Sequence, residues 1–171
     1  SRPDYYAIVL PDAGVGAEMT ATSRAAIFRF TPLGNREAID PLLADRVQSA
    51  QNGFRRITLR LVPNSDEKES TITLDAAHNR LFATNPIHRI YQGWGESAGF
   101  TGHYVLTWKD RLVDSRITDS IAYLTFEIPE GRSLIVKAAS SFTDQEGAWK
   151  NLQAEIPHWG FLKVRMQLNE T

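Results

Sequence analysis

Ser140 to Phe161 reads S-S-F-T-D-Q-E-G-A-W-K-N-L-Q-A-E-I-P-H-W-G-F, the clearest helical stretch in a chain that otherwise reads as strands. Thr143, with Glu146 three residues on, has the form of a capping box, in which each side chain satisfies one orphan N–H of the first turn. Asp144 and Glu146 place negative charge at the positive end of the helix dipole. Ala148, Leu152 and Ile156 recur every four residues with Trp149 beside them, so one stripe is apolar and the opposite face polar. Pro157 lacks an N–H and restricts Ile156 before it, which ends the helix. The spacing predicts a helix over 143–156. A single amphipathic helix at the end of a β-rich chain must lie on a sheet or on a neighbouring domain, and that choice sets the architecture.

The strands are read from alternation. Tyr5 to Leu10 is a β-rich run closed by the turn Pro11-Asp12-Ala13-Gly14. In Val15 to Thr22, Val15, Ala17, Met19 and Ala21 point one way and Glu18, Thr20 and Thr22 the other. Ala25 to Thr31 splits Ala25, Ile27 and the pair Phe28 and Phe30 between two faces, as a strand covered on both sides requires. Phe54 to Val62 puts Ile57, Leu59 and Leu61 opposite Arg56, Thr58 and Arg60. Ser70 to Asp75 and Arg80 to Ala83 pair as a hairpin, and Tyr104 to Trp108, Ile121 to Ile128 and Ser133 to Ser140 complete the set. Asp40-Pro41 followed by Leu42, Leu43, Val47 and Ala50 has the form of a short capped helix. Pro63 to Glu69 is a charged loop tip. About nine strands spaced by turn signals make a mostly β chain, an antiparallel sandwich with one C-terminal helix.

Composition narrows the function classes. A chain of 171 residues suits one domain or a compact part of one, and its net charge of −1 comes with both signs interspersed. No basic stripe marks a nucleic-acid binder, and no apolar run approaches the ~20 residues that span a bilayer. The absence of cysteine removes disulfides, thiolate zinc sites and cysteine nucleophiles. Ser1 in place of an initiator methionine, with no signal peptide, is expected to follow processing or an excised boundary.

Catalytic motifs are scarce. Gly93-Trp94-Gly95-Glu96-Ser97-Ala98 matches the letters of a dinucleotide fingerprint, but Gly99 and Gly102 break the helix that motif needs. His78, His88, His103 and His158 lack metal-ligand spacing, and each reads as a loop or strand-end residue making one hydrogen bond. Glu18, Glu96 and Glu127 cannot be paired across a sugar ring from sequence. No catalytic residue and no metal ligand is assigned. Asn85 to Gly95 holds a tryptophan between two glycines near His88, Arg89 and Gln92. Trp94 reads either as a flat platform for a sugar, with His88, Arg89 and Gln92 as polar contacts, or as a plug at the end of the sandwich.

Three stretches together carry a family resemblance. They are Glu18 to Arg24 with Phe28-Arg29-Phe30, Asn85 to Phe100, and the helical stretch with its S-F-T, N-L-Q-A-E-I-P and Trp159. In order and spacing they resemble the N-terminal domain of family 92 glycoside hydrolases, calcium-dependent, exo-acting and inverting α-mannosidases of bacteria. The resemblance covers about Tyr5 to Phe161. It implies a galactose-mutarotase-like supersandwich joined through helices to an α/α-barrel domain, with mannose-containing glycans as substrate and a periplasmic or secreted location. It also implies that the catalytic groups and the calcium lie outside this chain, so that the chain alone is inactive. The family reads W-D-F where this chain has Trp159-Gly160-Phe161, and Leu33 to Gln51 and Arg111 to Ser120 match poorly. A stand-alone carbohydrate-binding sandwich and a protein-interaction domain are the competing readings. On the family reading the helix packs on the sheet and leads toward the barrel, while Trp149 and Trp159 reach outward, which invites self-association of the excised domain.

Overall fold

The computed structural model describes residues 5–33, 53–63, 69–90, 94–118 and 120–169, without the side chains of residues 89, 90, 94, 168 and 169. The helix read at Asp40 to Ala50 lies outside the described residues. Ten strands and two α-helices are described: β1 Tyr6–Leu10, β2 Val15–Ala21, β3 Ala25–Pro32, β4 Phe54–Leu61, β5 Thr71–Asp75, β6 Arg80–Ile90, β7 Trp94–Trp108, β8 Arg111–Thr118, β9 Ile121–Pro129, β10 Leu134–Ser141, α1 Gln145–Glu155 and α2 Phe161–Asn169. A seven-stranded sheet runs β1-β2-β3-β10-β7-β6-β5 and a three-stranded sheet β4-β9-β8. Every neighbouring pair is antiparallel.

Alternation along the strands builds two separate cores. One face of the large sheet meets the small one: Phe28 and Phe30 of β3, Leu81 and Ala83 of β6, Trp108 of β7, and Leu134 and Val136 of β10 pack on Ile57 of β4 and on Ala122, Leu124, Phe126 and Ile128 of β9. Trp108 and Phe126 join the sheets edge to face at 5.4 Å, a geometry that suits the aromatic quadrupole. The residues between them turn to the other face, where Ala25, Ile27, Val105 and Ala139 meet Ala148, Leu152 and Ile156 of the first helix and its end, and Phe161 and Val164 of the second. The helical stripe therefore lies on the sheet. The result is a sandwich with helices as a third layer.

Polar contacts fix the helices in place. The Glu155 carboxylate accepts from the Thr22 hydroxyl at 2.5 Å, from the Arg24 backbone N–H at 2.9 Å and from Arg24 Nε at 2.6 Å, which ties α1 to the β2–β3 turn. Lys137 Nζ donates to the Ile156 carbonyl at 2.8 Å and satisfies an orphan acceptor at the helix end. Across the sheet, Arg29 grips Glu18 with Nε and an Nη at 2.6 and 2.7 Å, and the Tyr5 hydroxyl donates to the same carboxylate at 2.6 Å.

Several expectations change. The helix cap is Asp144, not Thr143: Asp144 is extended (φ −163°, ψ 177°) and its Oδ1 accepts from Gly147 N at 2.5 Å. Thr143 shares a hydrogen bond with Ser141 at 2.6 Å, and Glu146 pairs with Lys150 one turn on at 2.8 Å instead of reaching back. A second helix follows the first, with Gly160 accepting its opening bond from Val164 N at 3.2 Å. Arg111 to Ser120, read as a poorly matching connection, contains β8. Trp149 and Trp159 are half-buried under cations, with the Arg80 guanidinium 3.9 Å over the first ring and Lys137 Nζ 4.3 Å from the centre of the second.

Candidate functional site

Asn85 to Ile90 end β6 and Trp94 and Gly95 begin β7, in the longest pairing among the described residues. Its register is regular from Arg80↔Thr107 to Pro86↔Thr101 and then slips. Two steps along β6, Pro86 to His88, oppose four along β7, Ser97 to Thr101; two more, His88 to Ile90, oppose three, Trp94 to Ser97. Extra residues on one strand bend it and raise its twist. Gly95 (φ 96°) and Gly99 (φ 84°) stand in the left-handed half of conformational space where the bends occur. Gly99 is absorbed in a bulge and Gly102 pairs regularly with Asn85, so β6 and β7 run well past Ala83 and back before Tyr104.

His88 lies at the bulge, opposite Ser97. Its Nδ1 lies 2.9 Å from the Gly95 carbonyl, and since a carbonyl only accepts, Nδ1 carries the proton. Nε2 then faces the Glu69 carboxylate at 3.4 Å, an ion pair whenever the ring holds its second proton. The His88 side chain is 17% exposed and that of Glu69 65%. Glu69 itself sits at φ 61°, a conformation that costs a non-glycine residue of order 1–3 kcal/mol and collects at functional sites. The backbones of Arg89 and Trp94 belong to the two strands, with Ile90 opposite Trp94. Gln92 lies outside the described residues.

Beside the tip stands a pair that sequence reading did not single out. Phe100, 48% exposed, meets Phe142, 67% exposed, edge to face at 5.5 Å. Phe100 follows the bulge glycine Gly99, and Phe142 follows β10, whose Ser141 lies opposite His103 of β7. An aromatic next to a glycine within a strand was the available signal.

Elsewhere the titratable groups are tied into structure. Arg29 holds the Glu18 carboxyl below its ordinary range against burial. Burial would raise Glu155, but hydrogen bonds from Thr22 and Arg24 hold it low. Glu127 is flanked by Arg56 at 3.6 Å and Arg111 at 3.3 Å on the outer face of the small sheet. Asp110 shifts the other way, its carboxyl pushed up by burial with Arg132 opposing, at the end of β7 remote from the tip. Of the remaining histidines, His78 binds Asp75 at 2.8 Å, His158 Nδ1 accepts from Gly160 N at 3.3 Å, and His103 Nδ1 is buried without a partner. Among the described residues no group of three or more His, Asp or Glu side chains is placed to hold a metal ion.

No protein-family model and no curated protein matches the chain by sequence. Solved structures match it in fold. A family GH92 inverting mannosidase from Bacteroides thetaiotaomicron covers 99% of this chain with a TM-score of 0.69 at 18% identity, over 22% of its own length. The chain has the fold of part of a GH92 mannosidase. A GH92 alpha-mannosidase from the same organism, also solved with mannoimidazole, covers 96% with a TM-score of 0.62 at 21% identity, again over 22% of its length. Another GH92 family glycosyl hydrolase covers 91% with a TM-score of 0.57 at 13% identity, over 20% of its length. The chain thus spans about a fifth of the structures it matches. The resemblance read from three short stretches is borne out at the level of the fold.

Proposed function

We propose that this chain is the β-sandwich portion of a bacterial, periplasmic or secreted exo-α-mannosidase, supporting an α/α-barrel domain and inactive by itself. The observation that carries the reading is coverage: nearly the whole chain follows an architecture that forms about a fifth of several GH92 structures. The state of the carboxylates agrees with it. An inverting glycosidase needs two carboxyls about 6.5–9.5 Å apart with room for water between them, whereas Glu18, Glu127 and Glu155 are each engaged by arginine. On this reading the calcium, like the acid and base of the inverting reaction, belongs to the barrel. The test is turnover of an aryl α-mannoside with calcium by the purified chain. None is expected, and turnover free of contaminating enzyme overturns the reading.

A second reading is a sugar-binding sandwich that works alone, with Trp94 as platform and His88, Arg89 and Gln92 as polar contacts. The bulged tip and the exposed Phe100–Phe142 pair favour it, since sugars settle on aromatic faces flanked by hydrogen-bonding groups. Titration with mannose or α-mannobiose, followed by tryptophan fluorescence, separates the two. Measured binding that survives Trp94→Ala sinks the platform.

A further inference from the structure

A charge taken into a protein interior is ordinarily matched by an opposite one. Lys137 of β10, 6% exposed, is not. Its Nζ donates to the Ile156 carbonyl at 2.8 Å, and its other N–H donors have no acceptor among the described residues. Burial and the charge of Lys109 both hold its ammonium below the ordinary lysine range, and no carboxylate offsets them. Both ammonium groups stand at one indole: Lys137 Nζ is 4.3 Å and Lys109 Nζ 5.2 Å from the centre of the Trp159 ring. The carboxylates on neighbouring elements are committed elsewhere. Asp110 accepts from the Ile135 N–H and faces Arg132, and Glu155 is closed by Thr22 and Arg24. In the same link between the helices, His158 Nδ1 accepts from Gly160 N, so its buried Nε2 carries the proton and has no acceptor among the described residues. Every unmatched group in this corner is a donor or a cation.

We propose that Lys109, Trp159 and Lys137 form a binding site for one compact anionic group, a carboxylate or a phosphate. The three are graded in depth, with Lys109 exposed, Trp159 half-buried and Lys137 buried. An anion therefore enters from solvent along Lys109 and comes into the field of Lys137, where the lower dielectric strengthens attraction. Its arrival sets two attractions against the repulsion between the lysines and returns the Lys137 ammonium toward its ordinary range. Ammonium groups are point charges without the fixed fork of a guanidinium, so the site selects charge and size before shape. Lys137 also holds the carbonyl that ends α1, and Trp159 lies in the link to α2, so an occupied site stabilises the seat of both helices. The inference stands apart from the mannosidase reading, since it gives none of these residues a part in hydrolysis.

Titration of the isotope-labelled chain with inorganic phosphate, acetate and capped glutamate, at ionic strength held constant with sodium chloride, tests it. The expected result is a saturable shift of the Trp159 indole N–H, identified by its loss in Trp159→Phe, with a rise in melting temperature. Lys109→Gln and Lys137→Met each weaken binding roughly tenfold or more, and Lys150→Gln, on the exposed side of α1, leaves it in place. Lys137→Met puts an apolar chain of similar length where a buried cation stood, a change that folds tolerate well. Lys109 is exposed, so its variant reads charge without disturbing the core, and thermal melts check that both are folded. Tighter capture of phosphate than of acetate marks a free ion or phosphoester as the ligand. Tighter capture of capped glutamate than of acetate marks an acidic side chain. A folded chain whose indole shifts with none of the three probes overturns the proposal, and so does binding that either lysine variant leaves unchanged.

Discussion

Leu152→Ala probes whether the helices are a true third layer. Leu152 is 1% exposed, in a core it shares with Ile27, Val105, Ala139, Ala148 and Ile156. Truncating a buried leucine to alanine loses its transfer energy and leaves a cavity, at a cost of about 2–5 kcal/mol. The site is closed by strands on one side and by the helix backbone on the other, so little collapse is available, and about 3 kcal/mol is the working figure. For a chain of this size each kcal/mol lowers Tm by roughly 2–4 °C, which places the drop at about 6–12 °C. Leu162→Ala on α2 is the control: Leu162 is 56% exposed and its loss should stay within about 0.5 kcal/mol. Urea unfolding followed by far-UV circular dichroism gives both values, with an unchanged m-value showing that only stability moved. A loss below about 1 kcal/mol for Leu152→Ala, or equal losses for the two leucines, would refute the packing argument.

Other outcomes follow from the same contacts. Asp144→Ala should cost about 1 kcal/mol by removing the cap on Gly147 N, and Thr143→Ala clearly less; the reverse order in thermal melts would restore the capping box. Glu155 is held below its ordinary 4.5 by Thr22 and Arg24 despite burial. The stability it adds is therefore complete above that value and lost as pH falls through its lower folded value. Glu155→Gln should lower stability at neutral pH and flatten the acid limb of the stability–pH curve, and an unchanged limb would count against the clip. Arg80→Ala uncovers Trp149, so tryptophan emission should move to longer wavelength with a loss of about 0.5–1 kcal/mol; emission that does not move would contradict the stacking.

The faces of this fold were legible because burial has a period. Ile57, Leu59 and Leu61 turn inward, and Ala25 with Ile27 part from Phe28 with Phe30, as alternation required. The stripe Ala148, Leu152, Ile156 was legible for the same reason at the helical period. β8 escaped because its outward positions carry Arg111, Asp114 and Arg116 and only Leu112 reaches the core, so alternation left little apolar trace. The ends of β6 and β7 escaped because proline and glycine signal a break, and only pairing with the other strand shows that a bulge has absorbed them. The cap was misplaced by one residue because Thr143 and Asp144 are both good caps, and backbone geometry alone chooses. At the candidate site the sequence pointed to His88, whose two ring contacts the fold supplies, but not to Glu69, which the turn before β5 brings to it from 19 residues away along the chain.

On the sugar-binding reading, contact falls at the hairpin tip, and backbone amide shifts during an α-mannobiose titration measure that most directly. Shifts concentrated at His88, Gly95 and Ser97 are predicted, and they should disappear in Trp94→Ala. Saturable shifts elsewhere in the sandwich that leave the tip unmoved would contradict it.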